Sequence, residues 1–460
     1  MPVNSFENYP MSWKPKKDQL SSPFYLSIAN LLEQDIKNGS LAPNVKLPPQ
    51  RELADYIDLN LSTITRAFKI CELKGLIYAV IGRGTFVSPN ASSDISITDN
   101  KIEKNYIELG VIRPLDQTNS IVANVTKEVL SKSCIENLLD YGNPSGLKHH
   151  KLSAQSWLQR YNLNAKLDNI AITSGSQNSI TLSLISLFKP GDKIAIDMYT
   201  YPNVIELANM LNIQLIPIEG DLYGMNPDEL KSQCMLNNIK GVYLIPSCSN
   251  PTAILMNMER RKEIANVISE YNLILIEDDI YSFLVPQNFK PITCLVPENS
   301  IYICSTSKSL CSGLRVAFMV FPSKFSSTIE RIIYNVNIKT SALNVEIISE
   351  MINTGVADRI IEEKKSIIKH RNNIYKKYFD IYNPNENPLS FFRWLPIKPH
   401  LNSSEIKKEA TENGLRIYHS NRFLVGNYNE KQFLRISLSS TYKASELDNG
   451  LRILKNIISK

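Results

Sequence analysis

The segment Ile301-Tyr-Ile-Cys-Ser-Thr-Ser-Lys308-Ser-Leu-Cys-Ser-Gly-Leu-Arg315-Val-Ala-Phe-Met-Val-Phe321 runs from one apolar stretch through a polar loop into a second apolar stretch. Unbroken apolar runs of this kind are typical of strands buried on both faces of a sheet. The loop places Lys308 among hydroxyl groups, including Ser305 and Ser307. An amine shielded from water has a lowered pKa and can form a Schiff base. Arg315 offers a fork of N–H donors that suits a phosphate.

Short apolar runs of the same kind recur through the second part of the chain, with helical stretches between most of them. They lie at residues 170–173, 193–197, 241–245, 273–276, 301–304 and 315–321. This alternation predicts an α/β fold built on a buried, mostly parallel sheet covered by helices. Polar residues at the carboxyl ends of such strands are the expected ligand-binding positions.

One of these strand ends carries the small residues Thr173-Ser-Gly-Ser-Gln177 and opens a helix. The free backbone N–H groups of that helix, at Ser176 and Gln177, would cradle a phosphate with help from the helix dipole. An ordinary strand-to-helix turn explains the same residues about as well.

Other strand ends carry a carboxylate, an amide and an arginine. Asp278 ends a strand, where it could hold a pyridine nitrogen protonated or simply cap a helix. Asn250 follows another strand, where its amide could hydrogen-bond a phenolic oxygen. Arg435 is the one charge on the apolar run Phe433-Leu-Arg-Ile-Ser-Leu438. Because a buried unpaired charge is costly, we expect Arg435 to bind a carboxylate.

Residues 19–88 have helix and hairpin signals of their own. Apolar residues of a first helix share one face, two prolines precede a second helix, and Asn60 or Ser62 caps a third. The third helix is predicted to bury Ile64, Ala67, Phe68 and Cys71, leaving Thr63, Thr65, Arg66 and Lys69 outside. A hairpin with the turn Gly82-Arg-Gly84 follows.

This arrangement predicts a winged helix-turn-helix. Residues 60–85 carry four basic side chains against Glu72 alone, a net charge of +3 out of +6 for the whole chain. A helix with short polar side chains fits the DNA major groove, and Arg83 between two glycines can enter a minor groove. A small helical domain with an exposed polar helix is the alternative interpretation.

Residues 23–88 resemble the GntR-type DNA-binding domain. The resemblance rests on motifs such as Leu47-Pro-Pro-Gln-Arg-Glu-Leu-Ala, Thr63-Ile-Thr-Arg-Ala-Phe and Gly82-Arg-Gly-Thr-Phe-Val. It implies that the DNA contacts come from Arg51, Ser62, Thr63, Thr65, Arg66, Lys69, Arg83 and Gly84. Leu61 departs from the pattern, because many members carry arginine there.

Residues 106–460 resemble the fold-type I enzymes of aminotransferase class I/II, which use pyridoxal 5'-phosphate (PLP). The resemblance implies a large α/β domain and a smaller C-terminal one, with Lys308 as the Schiff-base lysine. It implies Asp278 at the pyridine nitrogen, Asn250 and Tyr281 at the ring hydroxyl, Tyr201 on the ring face and Arg435 at a carboxylate. The same resemblance places Ser176, Gln177, Ser305, Ser307 and Arg315 around the phosphate, and Tyr141 at the partner subunit's cofactor.

Three places depart from the class I/II pattern. Ala253 replaces the glycine of Asn-Pro-Thr-Gly, and Leu389-Ser390 and Tyr418-His419-Ser420 replace turns near the substrate entrance. His149, His150 and His370 form no metal spacing with acidic partners, so we expect no metal site and a structural role for these histidines.

The two domains together resemble the MocR-type transcriptional regulators. The resemblance implies a winged helix at 19–88, a linker at 89–105, and an aminotransferase-like domain at 106–460 that senses PLP or an amino compound. Double-stranded operator DNA and a head-to-tail homodimer are implied as partners. An active aminotransferase with a DNA-binding appendage is the alternative, and a PLP-binding dimer whose winged helix contacts proteins is a third.

Composition excludes several other classes. No apolar run reaches the roughly 18 residues of a membrane-spanning helix, and residues 1–17 lack the apolar core of a secretory signal. The 7 cysteines form no C-x-x-C pair, which argues against a disulfide framework or a zinc site. These features favour a reduced cytoplasmic compartment.

Overall fold

The computed structural model describes residues 11–42, 45–80, 82–88, 106–133, 135–286, 289–398, 403–426 and 431–459. The predicted linker at 89–105 lies outside the described residues. Within this part of the chain, no helix is both long enough and apolar enough to cross a membrane.

The N-terminal part folds as three helices followed by a hairpin. The elements are α1 (Phe24–Lys37), α2 (Gln50–Tyr56), α3 (Leu61–Leu73), β1 (Ile77–Val80) and β2 (Gly84–Val87). β1 and β2 pair antiparallel, with Val80 opposite Gly84. The buried side chains of α3 are the predicted ones, Ile64, Ala67, Phe68 and Cys71. Asn60 takes the N-cap position without a side-chain hydrogen bond.

The sequence predicts that the first domain starts at Gln19, but the apolar core of this part includes residues before it. Trp13 is buried in the same apolar cluster as α1 and α3, and Met11 packs against that cluster. The indole Nε1 of Trp13 donates a hydrogen bond to Asp35 Oδ2 at 2.9 Å. Residues 11–18 therefore contribute to the stability of the winged helix.

The second part is built on a seven-stranded sheet with helices packed against it. Its elements up to the last strand of this sheet are β3 (Ile107–Glu108), α4 (Asn119–Leu130), α5 (Lys148–Gln159), β4 (Ile170–Thr173), α6 (Ser176–Leu187), β5 (Lys193–Asp197), α7 (Pro202–Met210), β6 (Gln214–Ile218), β7 (Gly220–Asp221), β8 (Gly224–Met225), α8 (Pro227–Leu236), β9 (Ile239–Leu244), α9 (Met258–Glu270), β10 (Ile274–Asp278), β11 (Ser300–Ser305) and β12 (Ala317–Val320).

The strand order in this sheet is β4-β12-β11-β10-β9-β5-β6. β12 runs antiparallel to both of its neighbours, and the other pairs are parallel. The mostly parallel sheet is therefore confirmed. The sequence did not predict the edge strand β6, because Pro217 interrupts its apolar run. Proline has no backbone N–H to donate, so within a sheet it is tolerated at an edge strand such as this one.

A smaller C-terminal unit follows the large sheet. Between the large sheet and this unit lie α10 (Ser326–Asn337), which packs against α6, and α11 (Ala342–Asn353), which packs against α4 and α5. The elements that follow are α12 (Val356–Lys376), β13 (Phe392–Ile397), α13 (Ser403–Glu412), β14 (Leu415–Arg416), β15 (Tyr418–His419), β16 (Gln432–Ser437) and α14 (Ala444–Ile458). β13, β16 and β15 form an antiparallel sheet, and β14 pairs with β3 from the start of the second part. This pairing joins residues 107–108 to the C-terminal unit.

Asn226 caps the N-terminus of helix α8, and we expect its removal to destabilise this helix modestly. Asn226 Oδ1 accepts hydrogen bonds from the backbone N–H groups of Asp228 and Glu229 at 2.8 and 3.2 Å. Because such caps contribute about 1 kcal/mol, Asn226→Ala should speed hydrogen exchange of the α8 amides about fivefold. Asn226→Asp keeps the acceptor and should leave exchange near the wild-type rate; equal acceleration in both variants would contradict the assigned cap.

Candidate functional site

A cleft with about 710 Å³ of empty space, including its open side, lies beyond the ends of β9, β10 and β11. Two residues of the small sheet, Tyr418 and Arg435, also line it. The predicted site residues that line it are Ser176, Tyr201, Asn250, Asp278, Tyr281, Lys308 and Arg435.

Asp278 presents a carboxylate oxygen without a partner. It is the last residue of β10 and is buried, and its Oδ2 accepts a hydrogen bond from the Tyr243 hydroxyl at 2.9 Å. Oδ1 is buried with no partner in the described structure. Burial raises the pKa of Asp278 to about 7, against the Tyr243 hydrogen bond, which lowers it. A protonated ring nitrogen supplies the donor and the positive charge that this oxygen lacks.

Lys308 reaches the cleft from the loop that follows β11. Its Nζ donates a hydrogen bond to the backbone oxygen of Ile112 at 2.8 Å. Burial, together with the nearby charges of Lys364, Arg435 and Arg315, lowers the pKa of Lys308 to about 7. The lowered pKa makes the neutral, nucleophilic form of this amine more accessible near neutral pH than that of an ordinary lysine.

The small-residue turn before α6 sits against Arg315. Gly175 has a left-handed φ of 89°, and a β-carbon there would lie 2.9 Å from Arg315 Cζ. Arg315 itself has φ 52°, a strained conformation for a side-chain-bearing residue, and its Nη1 donates to Ser307 Oγ at 3.1 Å. The start of α6, Ser307 and a guanidinium thus converge where a phosphate could bind.

Arg435 lies on β16 and is buried without a carboxylate partner among the described residues. Nη1 donates to Asn250 Oδ1 and Nη2 to the Gly110 oxygen, both at 2.8 Å, and Nε has no partner. Burial lowers the pKa of Arg435 to about 10, which leaves it charged at neutral pH. An incoming carboxylate would satisfy the charge and Nε.

The remaining predicted residues divide between the cleft and other places. Tyr281 is buried, and burial raises the pKa of its phenol well above the usual range. The Tyr201 hydroxyl donates to Gln177 Oε1 at 3.2 Å, and the Ser305 hydroxyl accepts from the Ser307 backbone N–H at 3.3 Å. Tyr141 is 70% exposed and is not part of the cleft of its own chain.

Sequence reasoning missed Arg422 and the role of Tyr243. Arg422 lines the cleft from the turn after β15, and Tyr243 orients Asp278 from inside β9. Tyr243 lies one strand over from Asp278, so alternating strand-end positions could have identified it. Nothing local to Arg422 marks it, because the turn approaches the cleft only through the packing of the small sheet.

The expectation that the histidines lack acidic partners is wrong for two of them. His149 and His150 both place Nε2 against Glu346 Oε2, at 3.0 and 2.9 Å, and Lys132 lies 3.3 Å from Glu346 Oε1. The three ligand-type atoms lie within 4.8 Å of one another. Glu346 comes from α11, almost two hundred residues away, so sequence spacing does not show this cluster.

The predicted DNA-binding residues lie at the surface of the winged helix, with one exception. Arg51, Ser62, Thr65, Arg66, Lys69, Arg83 and Gly84 are exposed and Thr63 is half-buried. Thr65 Oγ1 donates to Gln50 Oε1 at 2.8 Å, and Arg66 Cζ stacks 3.8 Å from the Tyr25 ring. Lys69 pairs with Glu72 at 3.0 Å, which reduces its net contribution of charge.

Lys46 is a further basic residue on this surface that sequence reasoning missed. It is exposed, it bridges to Phe86 of β2, and a β-carbon at Gly84 would lie 2.8 Å from its Cε. The loop 45–47 thus pairs with the wing and adds a positive charge beside its tip.

Two family models match the chain. Residues 24–87 match the bacterial regulatory proteins of the gntR family, and residues 104–454 match aminotransferase class I and II. The HTH-type transcriptional regulator YdeF of Bacillus subtilis is 38% identical over 100% of this chain and 99% of its own length. YdcR of Escherichia coli, also named an HTH-type transcriptional regulator, is 23% identical over 90% of this chain and 94% of its own.

Solved structures resemble the second part of the chain. The kynurenine aminotransferase of Pyrococcus horikoshii, solved with PMP, superimposes with a TM-score of 0.70 at 24% identity. The match covers 77% of this chain and 91% of that one. At this identity the likeness shows the fold.

Proposed function

This chain belongs to the HTH-type transcriptional regulators of the MocR type, which join a GntR domain to a PLP-binding aminotransferase class I and II domain. We propose that it senses PLP or an amino compound in its cleft and changes its affinity for operator DNA in the cytoplasm. One observation carries this proposal: the same chain holds a cleft with an unpaired carboxylate and guanidinium, and an exposed basic helix and wing.

The cleft residues fit PLP. Asp278 Oδ1 lacks a donor, the amine of Lys308 has a lowered pKa, and the start of α6 with Arg315 makes an anion cradle. When bound, PLP supplies an electron sink for amino compounds. Lys308 would anchor it, Asp278 would keep its ring nitrogen protonated, and Tyr201, Asn250 and Tyr281 would orient the ring. Arg435 would bind the carboxylate of the amino compound.

The proposed assembly is a head-to-tail homodimer in which each winged helix lies against the partner's large domain. The exposure of Tyr141 agrees with a role toward the partner's cofactor. Two winged helices then reach two half-sites at one spacing, so any ligand that changes the relation of the domains changes DNA affinity.

The test is binding of the PLP-loaded full chain to DNA from upstream of its own and neighbouring genes, with unrelated DNA as competitor and salt varied. Specific binding that shifts when PLP is removed or an amino compound is added is the expected result. Binding that ignores both ligands would overturn the sensor mechanism.

An active aminotransferase is the second candidate, because Lys308, Asp278 and Arg435 are all in the cleft. The relatives that match nearly the whole chain are named transcriptional regulators, which favours the sensor over the aminotransferase. Incubation with amino acids and a keto acid separates the two candidates. Sustained formation of new amino acid would establish turnover, and its absence together with ligand-dependent DNA binding would establish a regulator alone.

Capture of PLP by the protein freed of cofactor should depend on pH through Lys308. With its pKa lowered to about 7, the neutral fraction of the Lys308 amine rises through pH 7 and levels off above about pH 8. A lysine at the ordinary value of about 10.4 would keep gaining reactivity across pH 7 to 10. Stopped-flow absorbance at pH 5.5 to 9.5 measures the rate; a continuous rise through pH 9 would contradict the low pKa.

A further inference from the structure

Two histidines that are neighbours in the sequence point at one carboxylate in the second part of the chain. His149 and His150 lie at the start of α5, and Glu346 lies on α11. Successive residues of a helix are about 100° apart around its axis, so their side chains normally diverge. Here the two imidazole rings converge, with centroids 4.1 Å apart. Their convergence places two ring nitrogens beside the same carboxylate oxygen.

The three ligand-type atoms are close enough to share one metal ion. Nε2 of His149 and Nε2 of His150 lie 3.0 and 2.9 Å from Glu346 Oε2, and all three atoms lie within 4.8 Å of one another. Nitrogen and oxygen ligands bind zinc at about 2.0–2.2 Å, which separates the ligand atoms by about 3.3–3.6 Å in tetrahedral coordination. Side-chain movements of about 1 Å therefore bring all three atoms to coordination distance.

Lys132 holds the Glu346 carboxylate in this orientation. Its Nζ lies 3.3 Å from Oε1, the oxygen that faces away from the cluster, and it also pairs with Glu350. Carboxylates that bind metals are commonly hydrogen-bonded by such outer partners, which fix their orientation. Because the charge of Glu350 offsets that of Lys132, the charge of Glu346 remains for a cation at Oε2.

The two histidines differ in exposure in a way that suits a site at the surface. The His150 ring is buried, so packing has already ordered it and binding an ion costs little further rotamer entropy there. The His149 ring is exposed and leaves the cluster open to solvent. An ion can enter from this side, and water can supply the remaining ligand that three protein ligands leave open.

We propose that His149, His150 and Glu346 bind a divalent transition-metal ion of the zinc type. Imidazole nitrogens suit zinc, cobalt and nickel, whereas magnesium and calcium prefer oxygen ligands throughout. The expectation of no metal site rested on a lack of acidic partners, and Glu346 supplies one from almost two hundred residues away. The bound ion would clamp α5 to α11. This inference is independent of the sensor function proposed above.

The test is calorimetric titration of the full chain, loaded with PLP and free of affinity tags, with Zn²⁺. We expect one ion per chain at micromolar affinity, undisturbed by excess Mg²⁺. His149→Gln, at an exposed position, should weaken zinc binding at least about tenfold, since even outer partners of metal ligands contribute about ten- to a hundredfold. His370→Gln removes an exposed histidine outside the cluster and should bind zinc like the wild type. Wild-type binding only at millimolar zinc, or equal affinity of His149→Gln and the wild type, would overturn the inference.

Carboxylate variants test whether the ion binds at Glu346 in particular. Glu346→Gln should weaken zinc binding at least about tenfold, while Glu350→Gln, which removes the other partner of Lys132, should keep it. Equal loss in both variants would show that the general charge of α11, rather than the three-ligand cluster, attracts the ion.

Hydrogen exchange supplies a second measurement that locates the ion. Because a ligand that binds only the folded state stabilises the segments it joins, saturating zinc should slow exchange of the α5 and α11 amides. The same zinc concentration should leave exchange in His149→Gln unchanged. Slowing confined to other elements of the wild type would place the ion elsewhere and overturn the inference.

Discussion

Lys308→Ala is expected to remove the Schiff-base absorbance of protein-bound PLP while leaving the winged helix folded. The amine is the group in the cleft that can bond covalently to the cofactor, and burial keeps its pKa at about 7. Purified variant and wild type, both incubated with PLP and dialysed, are compared by their absorbance spectra in the near-ultraviolet and visible range. Circular dichroism of the variant checks that the fold is retained.

Lys364 supplies the matched control for this prediction. It is also a buried lysine, and its Nζ donates to the backbone oxygens of Leu310 and Lys308 at 2.7 and 3.2 Å. Its charge lowers the pKa of Lys308, so Lys364→Met should keep the absorbance and move the pH midpoint of PLP capture upward. Undiminished absorbance in Lys308→Ala would show that another amine holds the cofactor.

The central groups of the cleft could be predicted because strand ends in a parallel sheet lie at one edge. Asp278 and Lys308 follow neighbouring strands β10 and β11, so their proximity follows from the strand order alone. The buried face of α3 was predicted for a similar reason, because a helix repeats its contacts every three or four residues. The first prediction depends on the geometry of a parallel sheet and the second on helical periodicity.

The groups that the sequence did not reveal depend on packing between distant segments. Arg422 enters the cleft through the register of β15 on β16, and Glu346 reaches His149 and His150 from another helix. Trp13 lies in a stretch without periodicity and is buried by α1 and α3. Each contact depends on tertiary geometry that no local sequence pattern encodes. The side chains involved are charged or aromatic, and in the sequence alone each could equally well lie on the surface without a specific contact.

Removing both Arg66 and Arg83 is expected to weaken DNA binding by at least about thirtyfold at moderate salt. Both side chains are exposed, and the ring of Tyr25 at 3.8 Å holds the Arg66 guanidinium outward on α3. Arg83 lies between Gly82 and Gly84 at the tip of the hairpin, so no side chain next to it blocks approach to a groove. Each lost contact of this kind costs about 1–3 kcal/mol.

Salt dependence distinguishes lost phosphate contacts from a damaged fold. Since each neutralised phosphate contributes about 0.9 to the slope of log affinity against log salt, losing both arginines should flatten the slope by up to about 2 for each bound protomer. Arg359→Ala with Arg452→Ala removes the same charge from exposed helical positions in the second part of the chain and serves as the control. If both double variants weaken binding equally, net charge rather than the α3 and wing surface sets the affinity. If neither double variant weakens DNA binding, the winged helix contacts something other than DNA. Arginines that neutralise phosphates release counterions, so removing them from a surface that binds a duplex must lower its affinity.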